Sequence, residues 1–327
     1  MPQAADQLAE EMLVSLLAEA PEEYLGADAI CGKLGLPHAV LFHQIERLRS
    51  KGYRIDARPA TGYRLLEVPD RVTALELLPL LVSEEFGRTV HFFEELESTN
   101  DRARELAEDG AAHGELVIAE SQLRGRGRRG RVWFSAPGEN LTFSLILRPR
   151  LAAARASEIT LAAGVAVCEV LREAAFDARI KWPNDVWIAD RKVAGILTET
   201  VTDEGGLRYA VLGVGLNVNA ERFPDDLQSI ATSLRQVRGE PLPRALLLAA
   251  LLERLELWLA RLEDGGRAEV LQRCRSWSAI LGRGVRIDAG STIAGTAEAI
   301  DDDGALQVRD AAGVLHRITA GDVGLTN

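Results

Sequence analysis

The 327-residue chain holds three cysteines, Cys31, Cys168 and Cys274, far apart and each within a segment of helical pattern. An odd, scattered set excludes a disulfide framework and a cysteine-built zinc site, and reads as reduced, buried thiols. The five histidines are equally scattered and offer no ligand spacing, so no protein-built metal site is expected. No apolar run is long enough to cross a bilayer. The N-terminal Met1-Pro2-Gln3-Ala4-Ala5-Asp6 lacks the basic start and apolar stretch of a secretory signal. The expectation is a cytoplasmic protein with no membrane partner. Positive charge is also scarce: 38 Lys and Arg stand against 49 Asp and Glu, for a net charge of -11. Such a body argues against a broad polyanion footprint.

Against that background one basic stretch stands out, Gly125-Arg126-Gly127-Arg128-Arg129-Gly130-Arg131-Val132-Trp133-Phe134. Glycines let backbone N–H groups approach a ligand, and arginine forks match phosphate or carboxylate oxygens. A small anion held locally is the implied ligand. Gly125, Gly127 and Gly130 also make a G-x-G-x-x-G, but a dinucleotide fingerprint needs a helix to open at the third glycine. Here Val132 to Phe134 and then Leu141 to Leu147 read as strand. The protein-kinase version fails too, because no H-R-D or D-F-G follows.

Residues 1–68 read as a separate unit. Leu8, Met12 and Leu16, with Leu13 and Leu17, have helical spacing. A second helix covers Ala27 to Leu34 and stops at Gly35. A third starts at Pro37, turns Leu41, Ile45 and Leu48 inward, and ends at Gly52. Two strands, Tyr53 to Ile55 and Tyr63 to Leu66, follow around a Pro59/Gly62 turn. This order predicts a winged helix-turn-helix. The outward face of its third helix carries His38, Phe42, His43, Glu46 and Arg47, and the wing carries Arg58 and Arg64. These are the candidate DNA contacts. Acids outnumber bases through residue 66, which weakens phosphate-driven affinity, so a scaffold role stands beside DNA binding.

Residues 69–276 alternate helix and strand patterns. Strands are expected at Val90–Phe93, Leu116–Ala119, Ala178–Ile180 continuing towards Ile188, Val193–Thr200 and Tyr209–Val218. Helices are expected at Asn100–Glu108, Ser157–Ala175 and Ala245–Leu262. The Asp190-Arg191 turn is too tight for a crossover helix and predicts an antiparallel pair, hence an α+β mixed sheet. In residues 277–327 short strands around Val285/Ile287, Ile293, Leu306/Val308 and Leu315/Ile318 alternate with glycine turns and predict a small β-barrel.

Four more motifs join the glycine-arginine loop: Glu97-Ser98-Thr99-Asn100, Lys181-Trp182-Pro183-Asn184-Asp185, Arg191-Lys192-Val193-Ala194-Gly195-Ile196-Leu197, and Gly213-Val214-Gly215-Leu216-Asn217-Val218-Asn219. Singly, each has an ordinary explanation: a capping box at Ser98 and Asp101, a turn at Asn184-Asp185, sheet-packing glycines at Gly213 and Gly215. In this order and spacing the set resembles the biotin–protein ligase family, in its three-domain bacterial form that doubles as the biotin-operon repressor. The resemblance runs over essentially the whole chain. It implies a winged helix, a ligase domain of the class II aminoacyl-tRNA-synthetase-like type and a C-terminal SH3-like barrel.

The resemblance also implies the chemistry. Biotin and ATP, brought in with Mg²⁺, give biotinyl-5′-AMP and diphosphate, and a lysine of a biotin carboxyl carrier domain then takes the biotin. Ser98, Thr99, Asn100 and Gln122 are expected to hold the ureido end of biotin. Arg126, Gly127, Arg128 and Lys192 are expected around its carboxylate. Arg128, Arg131, Trp133, Lys181 and Asn217 are expected at the nucleotide, with Arg128, Lys192 and Asp185 in catalytic roles. Asp185 would orient Lys192 or the Mg²⁺. The bound adenylate would serve as corepressor of a ligand-promoted homodimer on operator DNA. Two departures stand out. Arg124 occupies a position where the family usually has a small residue, and Thr326 stands where an arginine often approaches the nucleotide. Two alternatives remain at this point: a lipoate-type ligase on the same fold, and a biotin-responsive regulator with little ligase activity. The chain has no A-M-K-M acceptor motif and is not itself the carrier.

Overall fold

The computed structural model describes residues 2–204, 206–290 and 292–326, with side chains from residue 9 onward. Leu8, expected on the first helix's inner face, lies outside the described side chains. The chain divides into two compact units, Met1–Leu80 and Leu81–Asn327.

The first unit contains α1 (Pro2–Ala18), α2 (Ala27–Leu34), α3 (His38–Ser50), the hairpin β1 (Arg54–Arg58) and β2 (Gly62–Glu67), and a short α4 (Ala74–Leu77). Leu13, Leu17, Ile30, Leu41, Ile45 and Leu48 form its core with Tyr53 and Leu65. Met12 departs from the expected inner face and is 42% exposed, because the buried stripe of α1 runs through Leu13, Val14, Leu16 and Leu17. Gly35 closes α2 in the left-handed region at φ 66°, where glycine carries no Cβ penalty. Pro37 is the cap of α3 and not its first turn. Buried Glu10 of α1 pairs with Arg47 at 3.0 Å and Lys51 at 2.5 Å, tying α1 to the end of α3.

The second unit is built on a seven-stranded mixed sheet. Its strands are β3 (Val90–Leu96), β4 (Leu116–Gln122), β5 (Leu141–Leu147), β6 (Arg179–Lys181), β7 (Asp185–Ile188), β8 (Arg191–Asp203) and β9 (Gly206–Leu216). They lie in the order β3-β4-β5-β9-β8-β7-β6, with β3 and β4 parallel and the other pairs antiparallel. Five helices accompany them: α5 (Thr99–Glu108), α6 (Ser157–Glu173), α7 (Leu234–Arg238), α8 (Arg244–Glu263) and α9 (Arg267–Ser276). Leu161, Val165, Cys168 and Leu171 of α6 are buried, as their spacing predicts. The expected β7–β8 turn is present, with Ala189 and Asp190 both at positive φ, the backbone a two-residue hairpin needs.

Two expectations are corrected here, and one helix without a sequence signal is found. Val132–Phe134 is not a strand; it makes one isolated bridge, Arg126 to Val132, because its aromatics line a cavity instead of joining the sheet. The stretch from Ala178 to Ile188 is two antiparallel strands, β6 and β7, folding back between Lys181 and Asp185. Beyond Gly265-Gly266 the chain forms α9, whose only buried positions are Val270, Leu271 and Cys274. Such a thin apolar stripe gives little periodic signal.

The C-terminal strands β10 (Gly284–Asp288), β11 (Thr292–Ile300), β12 (Leu306–Asp310), β13 (Leu315–Ile318) and β14 (Asp322–Leu325) form an antiparallel sheet in the order β13-β12-β11-β10-β14. Val285, Ile287, Leu306, Val308 and Ile318 are buried, whereas Leu315 is 44% exposed and does not join the core. No described helix is long and apolar enough to cross a membrane.

Candidate active site

A cavity of about 450 Å³ opens over the β9–β8 side of the sheet. That size suits a small ligand. Every residue predicted for biotin and nucleotide lines it: Ser98, Thr99, Asn100 and Gln122 with Arg126, Gly127, Arg128, Arg131 and Trp133, and Lys181, Asp185, Lys192 and Asn217. Segments far apart in the chain, from Ser98 to Leu325, meet here because α5, the glycine-arginine loop, the β6–β7 turn, the ends of β8 and β9 and the start of β14 converge on one cavity.

One end of the cavity is lined by neutral hydrogen-bonding side chains, with Arg126 balanced against Asp101 and Glu199 beside them. Ser98 caps α5, its hydroxyl accepting from Asp101 N. Thr99 N donates to Gln122 Oε1 at 2.8 Å, which joins the start of α5 to the end of β4. Asn100 is buried. Its Nδ2 donates to Glu199 Oε2 at 2.8 Å, and Ser144 Oγ lies 2.7 Å from its Oδ1 and 2.8 Å from Thr99 Oγ1. Ser144 and Glu199 hold the amide orientation, and no local motif marked them. A Cβ on Gly213 would fall 2.1 Å from Asn100 Oδ1, and one on Gly215 2.3 Å from Trp133 Cε2. The glycines of the β9 motif are therefore required by close approach, not by loose sheet packing.

The other end gathers cations. Lys192 Nζ lies 2.7 Å from Asp185 Oδ1 and 5.4 Å from the Trp133 ring centre. Lys181 Nζ is 3.5 Å from Asp185 Oδ2. One buried carboxylate thus serves two ammonium groups, leaving an excess of positive charge. Burial pulls the Lys181 ammonium below the ordinary lysine range and Lys192 repels it further, while Asp185 works in the opposite direction. Both Asp185 oxygens are turned to lysines. Among the described residues no cluster of three or more His, Cys, Asp or Glu could hold a metal ion.

The glycine-arginine loop makes a single short turn at Arg128–Gly130, with Arg129 at φ 56°. Arg128 Nη1 donates to Asn184 Oδ1 at 3.1 Å and approaches Gly321 O at 3.4 Å. Burial lowers its pKa, yet a guanidinium stays charged at any ordinary pH. Asn184, part of the Lys181–Asp185 motif but read there only as a turn residue, is fixed in turn by Nδ2 donating to Ile196 O at 2.9 Å. Arg126 is paired with Asp101, and Arg131 with Asp322. Arg124 lies outside the cavity, 3.2 Å from Glu97 and with a largely exposed side chain. The C-terminal sheet reaches the cavity through Gly321–Leu325, supplying the Asp322 carboxylate and backbone; Thr326 is not among the lining residues.

Comparison with known proteins agrees with this constellation. The Biotin/lipoate A/B protein ligase family matches residues 92–217, and the Biotin protein ligase C terminal domain matches residues 280–325. The bifunctional ligase/repressor BirA of Bacillus subtilis is 35% identical over 317 residues, 96% of this chain and 97% of that protein. The chain belongs to the bifunctional biotin–protein ligase/repressor family. The bifunctional ligase/repressor BirA of Escherichia coli is 33% identical over 319 residues, 96% of each chain. A solved biotin protein ligase from Aquifex aeolicus, in complex with biotin and ATP, aligns with TM-score 0.65 and 27% identity. It covers 73% of this chain and 99% of that one. The ligase-family match at 92–217 runs from β3 to β9, which carry most of the cavity lining, and the C-terminal match at 280–325 includes the Gly321–Leu325 segment that completes it.

Proposed function

We propose that this cavity is where biotin is activated by ATP and passed to a carrier protein. The chain is an ATP-dependent biotin–protein ligase. A biotin carboxylate oxygen attacks the α-phosphorus of ATP, the bond to the β-phosphate breaks, and diphosphate leaves. The amine of a carrier lysine then attacks the acyl carbon of biotinyl-5′-AMP, loses a proton, and AMP departs. The first step presses an anion against a polyanion, and it needs fixed positive charge where they meet.

The observation that carries this reading is the division of one cavity into an end lined by neutral polar side chains and an end where Lys181, Lys192 and Arg128 gather around one carboxylate. Ser98, Thr99, Asn100 and Gln122 suit the neutral ureido ring. Arg128 and Lys192 suit the carboxylate and the phosphorus it attacks, with Arg126 and Arg131 available once they leave Asp101 and Asp322. Trp133 walls the ligand, and Lys181 and Asn217 belong to the nucleotide end. Mg²⁺ arrives as part of the nucleotide substrate. The mixed anhydride is open to water, and closure of the 125–131 loop over it shields it. No side chain is placed as general base for the carrier lysine, and proximity supplies this step.

The test is incubation with ATP, biotin and a biotin carboxyl carrier domain, read by intact mass. A mass increase of one biotin per carrier is expected; lipoate in place of biotin should leave the carrier unmodified. Carrier modification by lipoate alone would overturn the substrate assignment. Gly213→Ala probes the polar end. Forcing a methyl against Asn100, 2.1 Å from its Oδ1, should displace its amide and weaken biotin binding, read by calorimetry. Unchanged affinity would remove Asn100 from the biotin site.

The repressor role belongs to the first unit, read as a winged helix. On α3, His38, Phe42 and His43 are exposed, whereas Arg47 is engaged by Glu10. On the hairpin, the Arg58 and Arg64 guanidinium groups lie 4.4 and 4.9 Å from the Tyr24 ring centre. Operator DNA is the proposed partner of this surface, with a ligand-promoted homodimer as the binding form.

A further inference from the structure

A buried ion pair outside the cavity has no evident purpose in local structure. Arg244 is the first residue of α8 and is 1% exposed; Glu120 of β4 is 7% exposed. Arg244 Nη1 donates to Glu120 Oε2 at 2.6 Å and Nη2 to Oε1 at 3.2 Å, a two-bond fork. A cation at a helix N-terminus opposes the helix dipole, so the position is not chosen by the helix. A buried pair is also a poor source of stability, since well-packed apolar residues of similar volume do as well or better. Neither argument explains a charge pair at this place.

Its connections do. Arg244 Nη1 also donates to Asn140 O at 3.1 Å, and Asn140 Oδ1 accepts from Val218 N at 3.1 Å. Next to it, Asn219 N donates to Glu139 O at 2.7 Å. These bonds fix the chain immediately after Asn217. Asn217 itself bonds Thr232 O through Nδ2, and Thr232 N bonds Lys192 O at 2.9 Å. On the other side, Glu120 shares one face of β4 with Gln122, two residues on, which holds Thr99. The fork therefore joins the strand carrying the polar end of the cavity to the segment carrying its cationic and nucleotide end.

We propose that Arg244 is a positioning residue for the ligase reaction, setting the separation of the two ends of the cavity through Glu120 and the 139–140 turn. The inference rests on reading Asn217 as part of the nucleotide end. It makes the geometry between bound biotin and bound ATP, and not the affinity for biotin alone, the quantity under the control of this pair.

The experiment compares the wild type with Arg244→Lys and with the apolar double variant Glu120→Leu/Arg244→Met. Calorimetry gives biotin affinity, steady-state diphosphate release gives kcat and the KM for ATP, and thermal unfolding gives Tm. If the pair positions, the double variant keeps Tm and biotin affinity but loses about 10²-fold in kcat/KM for ATP, as a misplacement of about 1 Å predicts. Arg244→Lys, which keeps the charge but not the fork, should fall between. A folded double variant with wild-type kcat/KM for ATP overturns the proposal. Should the double variant fail to fold, an Arg244→Lys protein with lowered Tm and an unchanged KM for ATP and kcat overturns it equally. Wild-type protein that binds biotin yet releases no diphosphate would instead overturn the ligase reading on which the inference stands.

Discussion

Arg128→Ala and Lys192→Ala are each expected to slow adenylate formation by about 10²–10³, the usual cost of removing one donor aimed at developing charge. Both proteins should remain folded. Neither side chain is a core residue: Arg128 is half-buried and bonded to Asn184 and Gly321, and the Lys192 side chain is 32% exposed. Their loss differs in its local consequence. Without Lys192, Asp185 keeps Lys181 at 3.5 Å, so the carboxylate is not stranded but the positive excess shrinks. Without Arg128, Asn184 keeps its bond to Ile196 O and the wall of the cavity survives. Asp185→Asn gives the control. It removes the charge that orients Lys192 while leaving both lysines in place, and should cost less than Lys192→Ala. Diphosphate release in the presence of biotin and ATP is the measurement. Near-wild-type rates in either alanine variant would remove that cation from the reacting centre.

The parts of this protein that were legible in its sequence are those set by local chemistry. Helix α2 runs from Ala27 to Leu34 as predicted because Gly35 is the residue that can stop it in the left-handed region. The β7–β8 turn at Asp190 follows from the same logic, since two residues leave no room for anything but a hairpin. The buried face of α6 was legible because twelve of its seventeen residues are buried, and its apolar spacing survives in the sequence. Where an element's partners are few the signal fails, as in α9, or where apolar residues face a ligand cavity they mimic a strand, as in Val132–Phe134. The candidate site divides likewise. Its motif residues announced themselves by type and order, but Ser144 and Glu199 lie outside every motif and hold Asn100 from up to 99 positions along the chain, and Asn184, legible only as a turn, holds Arg128. A serine in the middle of a strand carries no mark of the asparagine it will meet. The need for glycine at 213 and 215 was likewise invisible until Asn100 and Trp133 were seen against them.

Operator affinity is expected to rise steeply when biotin and ATP are both supplied, and to be lost when residues 1–66 are removed. The single unit is poorly equipped to bind DNA alone. The proposed recognition face offers His38, Phe42 and His43, with Asp28 3.0 Å from His38, and Arg47 of α3 is held by a buried glutamate. Weak phosphate neutralisation means weak and salt-sensitive binding. Two such units on one dimer convert the second contact into an intramolecular one and multiply the affinity without any new contact. The link to ligand follows if biotinyl-5′-AMP orders the 125–130 loop and the 219–233 segment, because ordered segments complete a surface that free ones cannot. A ligand can shift the equilibrium only by its differential affinity for the two forms, so an adenylate that binds monomer and dimer alike would have no effect. Fluorescence anisotropy with operator DNA, with and without biotin plus ATP and across a salt series, measures the first part; sedimentation under the same conditions measures the dimer. The truncated protein should still release diphosphate, since among the described residues none lining the cavity precedes Ser98. Tight operator binding indifferent to ligand would break the link, and absence of binding under every condition would make the first unit a scaffold.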